Sequence, residues 1–457
     1  MGIFKLIIVP TILSVGVYYL YSTLNPPQPI EVPKTGWYGS GKERPDNTKI
    51  YPFTVNVSED VLKDLKTRLS SSRLSHEVLE DANSFEYGFN VNYLKKVQDY
   101  WLNKFDWRKQ EAILNTWPQF TTEVEGVNVH YYHVKPDAKK YKKVLPLLIV
   151  HGWPGCVFEF YKIIPMLVDP VAYKIGNDDF AFEVIAPSIP GYGFSGQPKK
   201  TGFGPLAAAR VFKKLMERLG HRKFYLQGGD WGAIITANMA RVYPESVHAL
   251  HVNMMPVTPG KGKALLYMIL GSFFPKSIFA HEHHHNYSPL TNMKEMLKES
   301  GYMHIQATKP DTVGTALNDS PIGLAAYILE KFSTWTNANY RKLEDGGLTK
   351  KFTLDELLTV ITMYWTQGNI VSSQRFYKEC FSSSDFFALG SMYISVPTAH
   401  AQFKNELFDK EPAEIISTMV NLTSQVILPD GGHFAAFEEP KYLANHLFSF
   451  VSSLQKK

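Results

Sequence analysis

Cysteine is scarce in this chain, and no charge of one sign dominates it. The 457 residues include only two cysteines, Cys156 and Cys380, which excludes a fold built on disulfides. The 48 basic and 43 acidic side chains leave a net charge of +5, without the lysine and arginine blocks that bind nucleic acid. With 44% hydrophobic residues, a chain of this length forms a large apolar core and more than one structural unit.

One stretch of the sequence matches a zinc-binding pattern but lacks the surroundings of a zinc site. The stretch His281–His285 matches the H-E-x-x-H zinc pattern. It stands between Pro275 and Pro289 with little apolar helix around it, and no third ligand is suggested. Neither cysteine has the spacing of a metal site. We therefore interpret the stretch as a polar loop and predict no metal.

The N-terminus carries a long uncharged apolar run, from Leu6 to Leu24. Nineteen residues can just cross a hydrocarbon core of about 30 Å, so we predict a membrane helix at residues 6–24. A cleaved signal peptide is the alternative, but no small-residue cleavage site follows the run. Basic residues after it, such as Lys34 and Arg44, indicate a catalytic body on the cytosolic side.

Beyond the anchor, the pattern predicts an α/β protein. Strands alternate with helical segments, which is typical of a parallel sheet covered on both faces. The predicted strands are 145–150, 182–186, 224–227, 247–252, 391–396 and 425–428. Residues 25–144 form a predicted N-terminal wrapping domain with helices at 59–74 and 91–102 and a hairpin at 120–134. The core comprises residues 145–255 and 391–457, and a helical cap is inserted at 256–390.

The turn Gly228-Gly229-Asp230-Trp231-Gly232 has the Gly-x-nucleophile-x-Gly form of a nucleophile elbow. An aspartate stands where serine is usual. Its carboxylate is ionised at neutral pH without a helping base, and it suits attack on a strained or alkyl carbon. A plain Gly-Gly-Asp turn is the alternative. The apolar strand before the turn and the helical pattern after it favour the elbow.

Two loops supply the other core groups. His151-Gly-Trp-Pro-Gly155 follows a predicted strand, the position from which α/β-hydrolases supply one oxyanion-hole amide. The other comes from the residue after the nucleophile, so Trp153 and Trp231 are the expected N–H donors. His433 lies in a Gly-rich loop after the last strand, in the chain order of this fold, and can act as a base. Glu406 is the expected acid that orients it, and Asp409 is the competitor.

These residues together resemble the microsomal epoxide hydrolases, including the insect juvenile hormone epoxide hydrolases. The likeness covers nearly the whole chain. It is carried by the anchor, the Trp-rich N-terminal domain, His151-Gly-Trp-Pro, Gly229-Asp-Trp-Gly, Gly301-Tyr-Met-His-Ile-Gln, Arg375-Phe-Tyr-Lys-Glu and Gly431-Gly-His-Phe-Ala-Ala-Phe-Glu-Glu-Pro. The stretch around Glu406 matches least, because the family often has aromatic and proline residues just before its acid.

The resemblance implies an α/β-hydrolase fold and hydrolysis of a lipophilic epoxide to a diol through an aspartyl ester. Asp230 matches the nucleophile, and His433 with Glu406 the charge-relay pair. Tyr302 and Tyr377 match the ligands of the epoxide oxygen; among 25 tyrosines, spacing alone could not have selected them. No cofactor is implied, and the expected location is the endoplasmic reticulum membrane. The partners are substrate, water and the bilayer.

Two other functions stay open on the sequence. A haloalkane dehalogenase shares the Asp-Trp elbow, and the Trp231 indole could hold a halide, but that chemistry does not need the cap tyrosines. A membrane-anchored binding protein on an inactive hydrolase fold is the other. Aromatic residues in the cap suit a lipophilic substrate without specifying it: Phe273, Phe274, Phe279, Tyr327, Phe332 and Trp335.

Overall fold

A mixed sheet organises the molecule. The computed structural model describes residues 14, 17, 21, 30–255, 262–408 and 410–456. Within these residues the sheet has nine strands in the order β1-β2-β3-β5-β4-β6-β7-β8-β9. The strands are β1 Tyr51–Phe53, β2 Gln119–Val124, β3 Val127–Val134, β4 Lys143–Val150, β5 Phe180–Pro187, β6 Phe224–Gly228, β7 Val247–Val252, β8 Ile394–Phe403 and β9 Val420–Leu428. The strands from β5 to β9 pair in parallel, whereas β1, β2 and β3 extend the sheet antiparallel.

Helices cover the sheet and form the cap. The α-helices are α1 Glu59–Ser70, α2 Val91–Asn103, α3 Trp107–Leu114, α4 Ile164–Val168, α5 Pro205–Arg218, α6 Trp231–Val242, α7 Gly262–Phe273, α8 Pro275–Ile278, α9 Pro289–Glu299, α10 Gly301–Thr308, α11 Pro310–Asp319, α12 Pro321–Thr334, α13 Leu354–Gln367, α14 Ile370–Ser382, α15 Asp385–Ser391, α16 Ala413–Ile416, α17 Ala435–Glu438 and α18 Pro440–Gln455. Short 3-10 helices occupy Val157–Phe160, Pro244–Ser246, Glu282–His284, Tyr340–Lys342 and Leu348–Lys350.

The central strands form because their residues are apolar without alternation. Every residue of β5 is buried, and so are the last four of β4. Strands with this pattern need cover on both faces, which the crossover helices provide. The carboxyl ends of the parallel strands consequently meet at one edge of the sheet, where ligands bind in open α/β sheets.

Three predicted elements differ from the structure by three or more residues at a boundary. Strand β8 begins at Ile394 instead of residue 391 and continues past Pro397, because a register shift between Ile394 and Thr398 accommodates the missing proline N–H. Strand β9 begins at Val420, five residues before its predicted start. Helix α1 ends at Ser70 instead of residue 74, at a run of three serines with weak helix propensity.

The N-terminal region joins the catalytic core through a buried ion pair. Strands β2 and β3 form the predicted hairpin, with positive φ at both Glu125 and Gly126 as a type I′ turn requires. The Glu125 carboxylate accepts two hydrogen bonds of 2.7 Å from Arg210 of α5, and Lys214 lies 2.8 Å away. The side chains of Glu125 and Arg210 are only 2% and 5% exposed.

The described part of the region between β7 and β8 contains helices and no strand. The N-terminal helices contact this cap: Tyr100 of α2 donates to Asp355 at 3.0 Å, and Arg68 of α1 binds Asp319 at 2.6 Å. His281–His285 contains a 3-10 turn instead of the α-helix that an H-E-x-x-H site requires.

The predicted membrane helix at 6–24 falls outside the described residues, apart from positions 14, 17 and 21. Across the part of the chain that the structure does describe, no helix is both long enough and apolar enough to cross a membrane.

Candidate active site

Asp230 sits on a strained turn between β6 and α6. Its backbone has φ 49° and ψ −128°, a left-handed conformation that a non-glycine residue rarely adopts. The turn brings the start of α6 into direct contact with β4, which only glycine at position 232 allows. A Cβ on Gly232 would lie 1.9 Å from the Val150 carbonyl oxygen. The sequence Gly-x-Asp-x-Gly therefore lifts the Asp230 side chain above the carboxyl ends of β4 and β6.

One oxygen of the Asp230 carboxylate lies in a backbone cradle. The Trp153 amide donates to Asp230 Oδ1 at 2.7 Å. A Cβ on Gly152 would approach the same Oδ1 to 2.2 Å, so only glycine permits this contact. Trp231 is the first residue of α6, and its N–H is among those that a helix leaves without an internal partner. Both predicted oxyanion-hole residues thus border Asp230.

The other oxygen of Asp230 faces His433. His433 Nε2 lies 3.3 Å from Asp230 Oδ2, and His433 Nδ1 lies 2.9 Å from Glu406 Oε2. Glu406 follows β8, is fully buried, and accepts a second hydrogen bond from the Phe408 amide at 2.9 Å. The competitor Asp409 lies outside the described residues.

His433 is held between two carboxylates. Burial alone would lower the pKa of its imidazole, but Glu406 and Asp230 together outweigh burial and raise that pKa well above 6.5. The two carboxylates thus favour the protonated form of the imidazole over the neutral form.

Tyr302 and Tyr377 reach the site from α10 and α14. Their rings pack edge to face, with centroids 5.9 Å apart. The Tyr302 ring stacks on Trp153 at 5.2 Å with an angle of 5°, and the Tyr377 ring packs edge-on against Trp231 at 4.6 Å. Burial, with the nearby Asp230 charge, raises the pKa of both phenols well above 10. Both stay protonated and can donate hydrogen bonds.

The chain matches two family models. Residues 50–160 match the epoxide hydrolase N terminus, and residues 146–440 match the alpha/beta hydrolase fold. It is 49% identical to epoxide hydrolase 1 of Sus scrofa, covering 92% of this chain and 93% of the relative. It is 43% identical to juvenile hormone epoxide hydrolase 1 of Ctenocephalides felis, covering 99% and 96%. The crystal structure of juvenile hormone epoxide hydrolase from Bombyx mori superimposes with a TM-score of 0.86 at 39% identity, covering 93% of this chain and 99% of that one.

The chain belongs to the microsomal epoxide hydrolase family. It is an epoxide hydrolase with an α/β-hydrolase fold and an N-terminal domain, which confirms those predictions. The predicted domain boundaries and site roles stay predictions.

The sequence did not identify two buried acids of this epoxide hydrolase. Glu438 accepts hydrogen bonds from the Gly432 and Phe434 amides at 2.7 and 2.8 Å, on both sides of His433. Glu159 accepts from the Cys156 amide at 3.0 Å. Burial raises the pKa of each acid to about 8. Only the placement of Glu438 in a short helix after the His433 loop could have drawn attention to it.

A small cavity of about 20 Å³ adjoins the nucleophile. It is lined by Asp230, His433, Glu159 and Asn253, among others. This volume is large enough for one water molecule, and the lining provides the polar partners that a buried water needs. The Glu159 carboxylate occupies space next to the turn that only a glycine leaves free, since a Cβ on Gly155 would overlap Glu159 Oε1 at 1.3 Å.

Among the described residues, one group outside this site has the geometry of metal ligands: His133, Glu183 and His221. His133 Nε2 lies 2.6 Å from Glu183 Oε1, and His221 Nε2 lies 3.4 Å from the same oxygen. Hydrogen bonds from His133 and His221 lower the pKa of Glu183. Lys135 also lies 3.4 Å away, so the carboxylate charge is balanced by side chains.

The six cap aromatic residues that suit a lipophilic substrate divide into two groups. Tyr327 and Trp335 pack against Trp153 at 6.0 and 6.1 Å, and Phe332 stacks on Phe434 beside His433. Phe279 belongs to a small separate core with Ala264 of α7, and Phe273 and Phe274 are 46% and 53% exposed.

Proposed function

We propose that this epoxide hydrolase opens its substrate by attack of Asp230 Oδ2 on an epoxide carbon. The observation that supports this most directly is the asymmetric environment of the carboxylate. Oδ1 accepts a hydrogen bond from the Trp153 amide at 2.7 Å, whereas Oδ2 lies 3.3 Å from His433 Nε2. An attacking oxygen must have a free lone pair, and Oδ2 is the oxygen that no backbone amide holds.

The cap tyrosines supply the proton that the carboxylate cannot give to the epoxide oxygen. When the C–O bond breaks, its electron pair goes to the epoxide oxygen, which needs a proton or strong hydrogen bonds. Tyr302 and Tyr377 are protonated donors that pack against aromatic rings, and Tyr377 is only 3% exposed. Their position above the elbow is fixed by the indoles of Trp153 and Trp231. The product of this step is an ester between Asp230 and the substrate.

Ester formation also prepares the second step. It removes the Asp230 charge, which is one of the two charges that raise the pKa of His433. His433 then releases its proton, which replaces the one that the tyrosines give to the substrate oxygen. The neutral imidazole, oriented by Glu406, can now take a proton from water.

The activated water attacks Cγ of the Asp230 ester. The amides of Trp153 and Trp231 stabilise the oxyanion of the tetrahedral intermediate. Collapse breaks the bond between Cγ and Oδ2, so Oδ2 leaves as one of the two diol oxygens and takes the hydroxyl proton of the intermediate. Asp230 becomes a carboxylate again with one oxygen from water, and His433 keeps the proton that it took from that water.

We further propose a lipophilic substrate taken up at a membrane. Relatives named juvenile hormone epoxide hydrolases support a terpenoid epoxide of that kind. The resemblance to the microsomal epoxide hydrolases supports foreign arene or alkene oxides as the other substrate class. The apolar run at residues 6–24 supports a single-pass anchor in the endoplasmic reticulum, with a cytosolic body. Comparing kcat/KM for a terpenoid ester epoxide and for styrene oxide would separate the two substrate classes.

Isotope labelling tests the ester mechanism. One turnover in water enriched in heavy oxygen should place the label in Asp230, detected by mass spectrometry of the peptide, and leave the first diol unlabelled. In the His433→Gln variant, alkylated Asp230 should accumulate. Label in the first diol with none in Asp230 would show that water attacks the epoxide directly, and would exclude the ester.

A further inference from the structure

Helix α9 turns its apolar side outwards. Leu290, Met293 and Leu297 are 58%, 52% and 67% exposed and recur at the i, i+3, i+7 spacing of one helix face. Met296, beside them, is 38% exposed. A surface helix of a globular protein normally buries such a stripe. None of the residues of α9 is buried.

Ion pairs hold the helix in this orientation. Glu295 and Glu299, on the other side of α9, bind the Arg341 guanidinium at 3.0 and 2.7 Å. Glu299 is only 10% exposed at its side chain. The polar face of the helix is thus directed at the protein body, and rotating α9 to bury its apolar stripe would break both pairs.

Exposed apolar side chains also occur on the two helices that carry the site tyrosines. Helix α10 follows α9 after Ser300 alone, and its Ile305 is 39% exposed. Phe381, on α14, is 40% exposed. A surface groove of about 720 Å³ runs between α10 and α14, lined by Met303 and Phe381. We call these exposed residues the cap apolar face: Leu290, Met293, Met296, Leu297, Ile305 and Phe381.

The N-terminal segment enters the folded body beside this face. Pro33 lines the same surface groove as Ser382 and Phe386. The Phe386 ring is 5.3 Å from that of Phe381, and Ser382 also lines the groove between α10 and α14. In the sequence, only residues 25–29 stand between the predicted anchor and Ile30, where the continuous description of the chain begins.

Lysines border the same surface. Lys309 and Lys378 line the groove between α10 and α14. They also line a neighbouring groove together with Lys199 and Lys200; the acids in that groove are Glu379 and Asp311, and Asp311 is paired with Arg375 at 2.7 Å. All four side chains are exposed. A patch of apolar residues with a basic rim is complementary to an interface that presents acidic headgroups above a hydrocarbon layer.

From these observations we propose that the cap apolar face inserts into the surface of an acidic phospholipid bilayer, with the lysine rim on the headgroups. The enzyme would then touch the membrane twice, through the anchor and through the cap. This inference rests in part on the anchor in the proposed function, but it assigns a separate surface, which can be tested apart from it.

The position of the face also indicates a substrate entrance. Phe381 reaches inwards, with its ring 6.5 Å from that of Trp231, the residue after the nucleophile. Met303 follows Tyr302 directly and lines the groove. A lipophilic epoxide dissolved in the bilayer would therefore pass between Met303 and Phe381 to reach Asp230, without crossing bulk water.

A depth measurement tests the contact. The full chain is reconstituted in phosphatidylcholine vesicles containing about one third phosphatidylserine. A fluorescent probe is attached to Leu297→Cys, and in a control to Val171→Cys. Val171 is 50% exposed and lies between α4 and β5, at the amino ends of the parallel strands, and both native cysteines are buried. Nitroxide-labelled lipids should quench the probe at 297 several-fold more than at 171.

Each outcome separates the two proposals. Equal quenching at both positions, in protein that floats with the vesicles, would overturn the cap contact and leave the anchor intact. A chain that does not float would overturn both. A probe at 297 that escapes quenching, in protein that cross-links to a second copy through this face, would identify a dimer interface and exclude the bilayer.

A kinetic comparison tests the entrance. The double variant Met293→Asp, Leu297→Asp should raise the apparent KM for an epoxide dissolved in vesicles by about tenfold, because charge on the face opposes insertion. Its kcat/KM for a short water-soluble epoxide should match that of the parent and of the control Val171→Asp. Unchanged kinetics with the vesicle substrate, or equal losses with both substrates, would overturn the proposal.

Discussion

The two halves of the active site are positioned by different kinds of interaction. The core half consists of Asp230, His433 and Glu406 on loops after parallel strands, and hydrogen bonds of 2.7–2.9 Å fix Asp230 to Trp153 and His433 to Glu406. The cap half consists of Tyr302 and Tyr377 on helices, positioned by ring contacts with Trp153 and Trp231. The core half contributes charged groups, and the cap half contributes neutral hydrogen-bond donors. The tryptophans that supply the core amides also support the cap rings, so one loop and one turn align both halves.

The largest effect is expected from removing the charge at the centre of the core half. Asp230→Asn should lower kcat/KM by about 10⁴-fold or more, because an amide is a poor nucleophile. It should also lower the pKa of His433, since one of the two carboxylates that raise it is gone. Proton NMR titration of the His433 ring measures this. An unchanged pKa would mean that Glu406 alone sets the charge of the imidazole.

The cap half should fail more gradually, because it has two donors. Tyr302→Phe or Tyr377→Phe alone should slow ester formation about 10- to 100-fold, and the double variant by about 10³-fold. The decay of a preformed ester should be nearly unchanged in all three. Rapid-quench single turnover separates the two steps. Equal losses in both steps would indicate that the tyrosines position the whole site instead of the leaving oxygen.

A smaller effect is expected from the acid that shapes the His433 loop. In Glu438→Gln, one of the two flanking amides would face an NH₂ group instead of an oxygen, which costs about 1–3 kcal/mol for a buried donor. We expect turnover to fall about tenfold and the pH profile to shift as His433 moves relative to Glu406. A loss of thermal stability with normal kcat and pH profile would assign Glu438 a purely structural role.

The smallest change is expected at the one-water cavity. Glu159→Gln keeps an oxygen for the Cys156 amide but removes the titrating group beside the cavity. Ester hydrolysis should slow about fivefold, as for a water held slightly out of place, and ester formation should not. The pH dependence of hydrolysis near 8, where the pKa of Glu159 lies, should flatten. Identical parent and variant profiles would contradict this role.

The core half was accessible from the sequence because its residues are tied to local patterns. Apolar runs located the central strands, and the elbow and the Gly-rich loop located Asp230 and His433 relative to strand ends. The cap half was not accessible in this way, since helix spacing does not distinguish Tyr302 from other cap tyrosines. Only the resemblance to known epoxide hydrolases selected it.

What the sequence missed depends on tertiary contact. Strand β1 has three residues, too few for a pattern. Glu159 and Glu438 are ordinary acids until folding buries them against backbone amides. The exposed position of Phe273 and Phe274 likewise follows from the docking of α7, which no periodicity within the helix reveals.

The pair of Glu125 and Arg210 makes the stability of this enzyme depend on its N-terminal domain. A chain shortened to begin at residue 145 would keep every residue of the active site, yet it would lose Glu125, Tyr38 and Pro33, which bind and cover the Arg210 guanidinium. The single change Glu125→Gln is more severe at this point, because the rest of the N-terminal domain would still hold Arg210 in the interior. Leaving one member of a buried ion pair without its partner costs about 3–5 kcal/mol, a large share of a domain's stability.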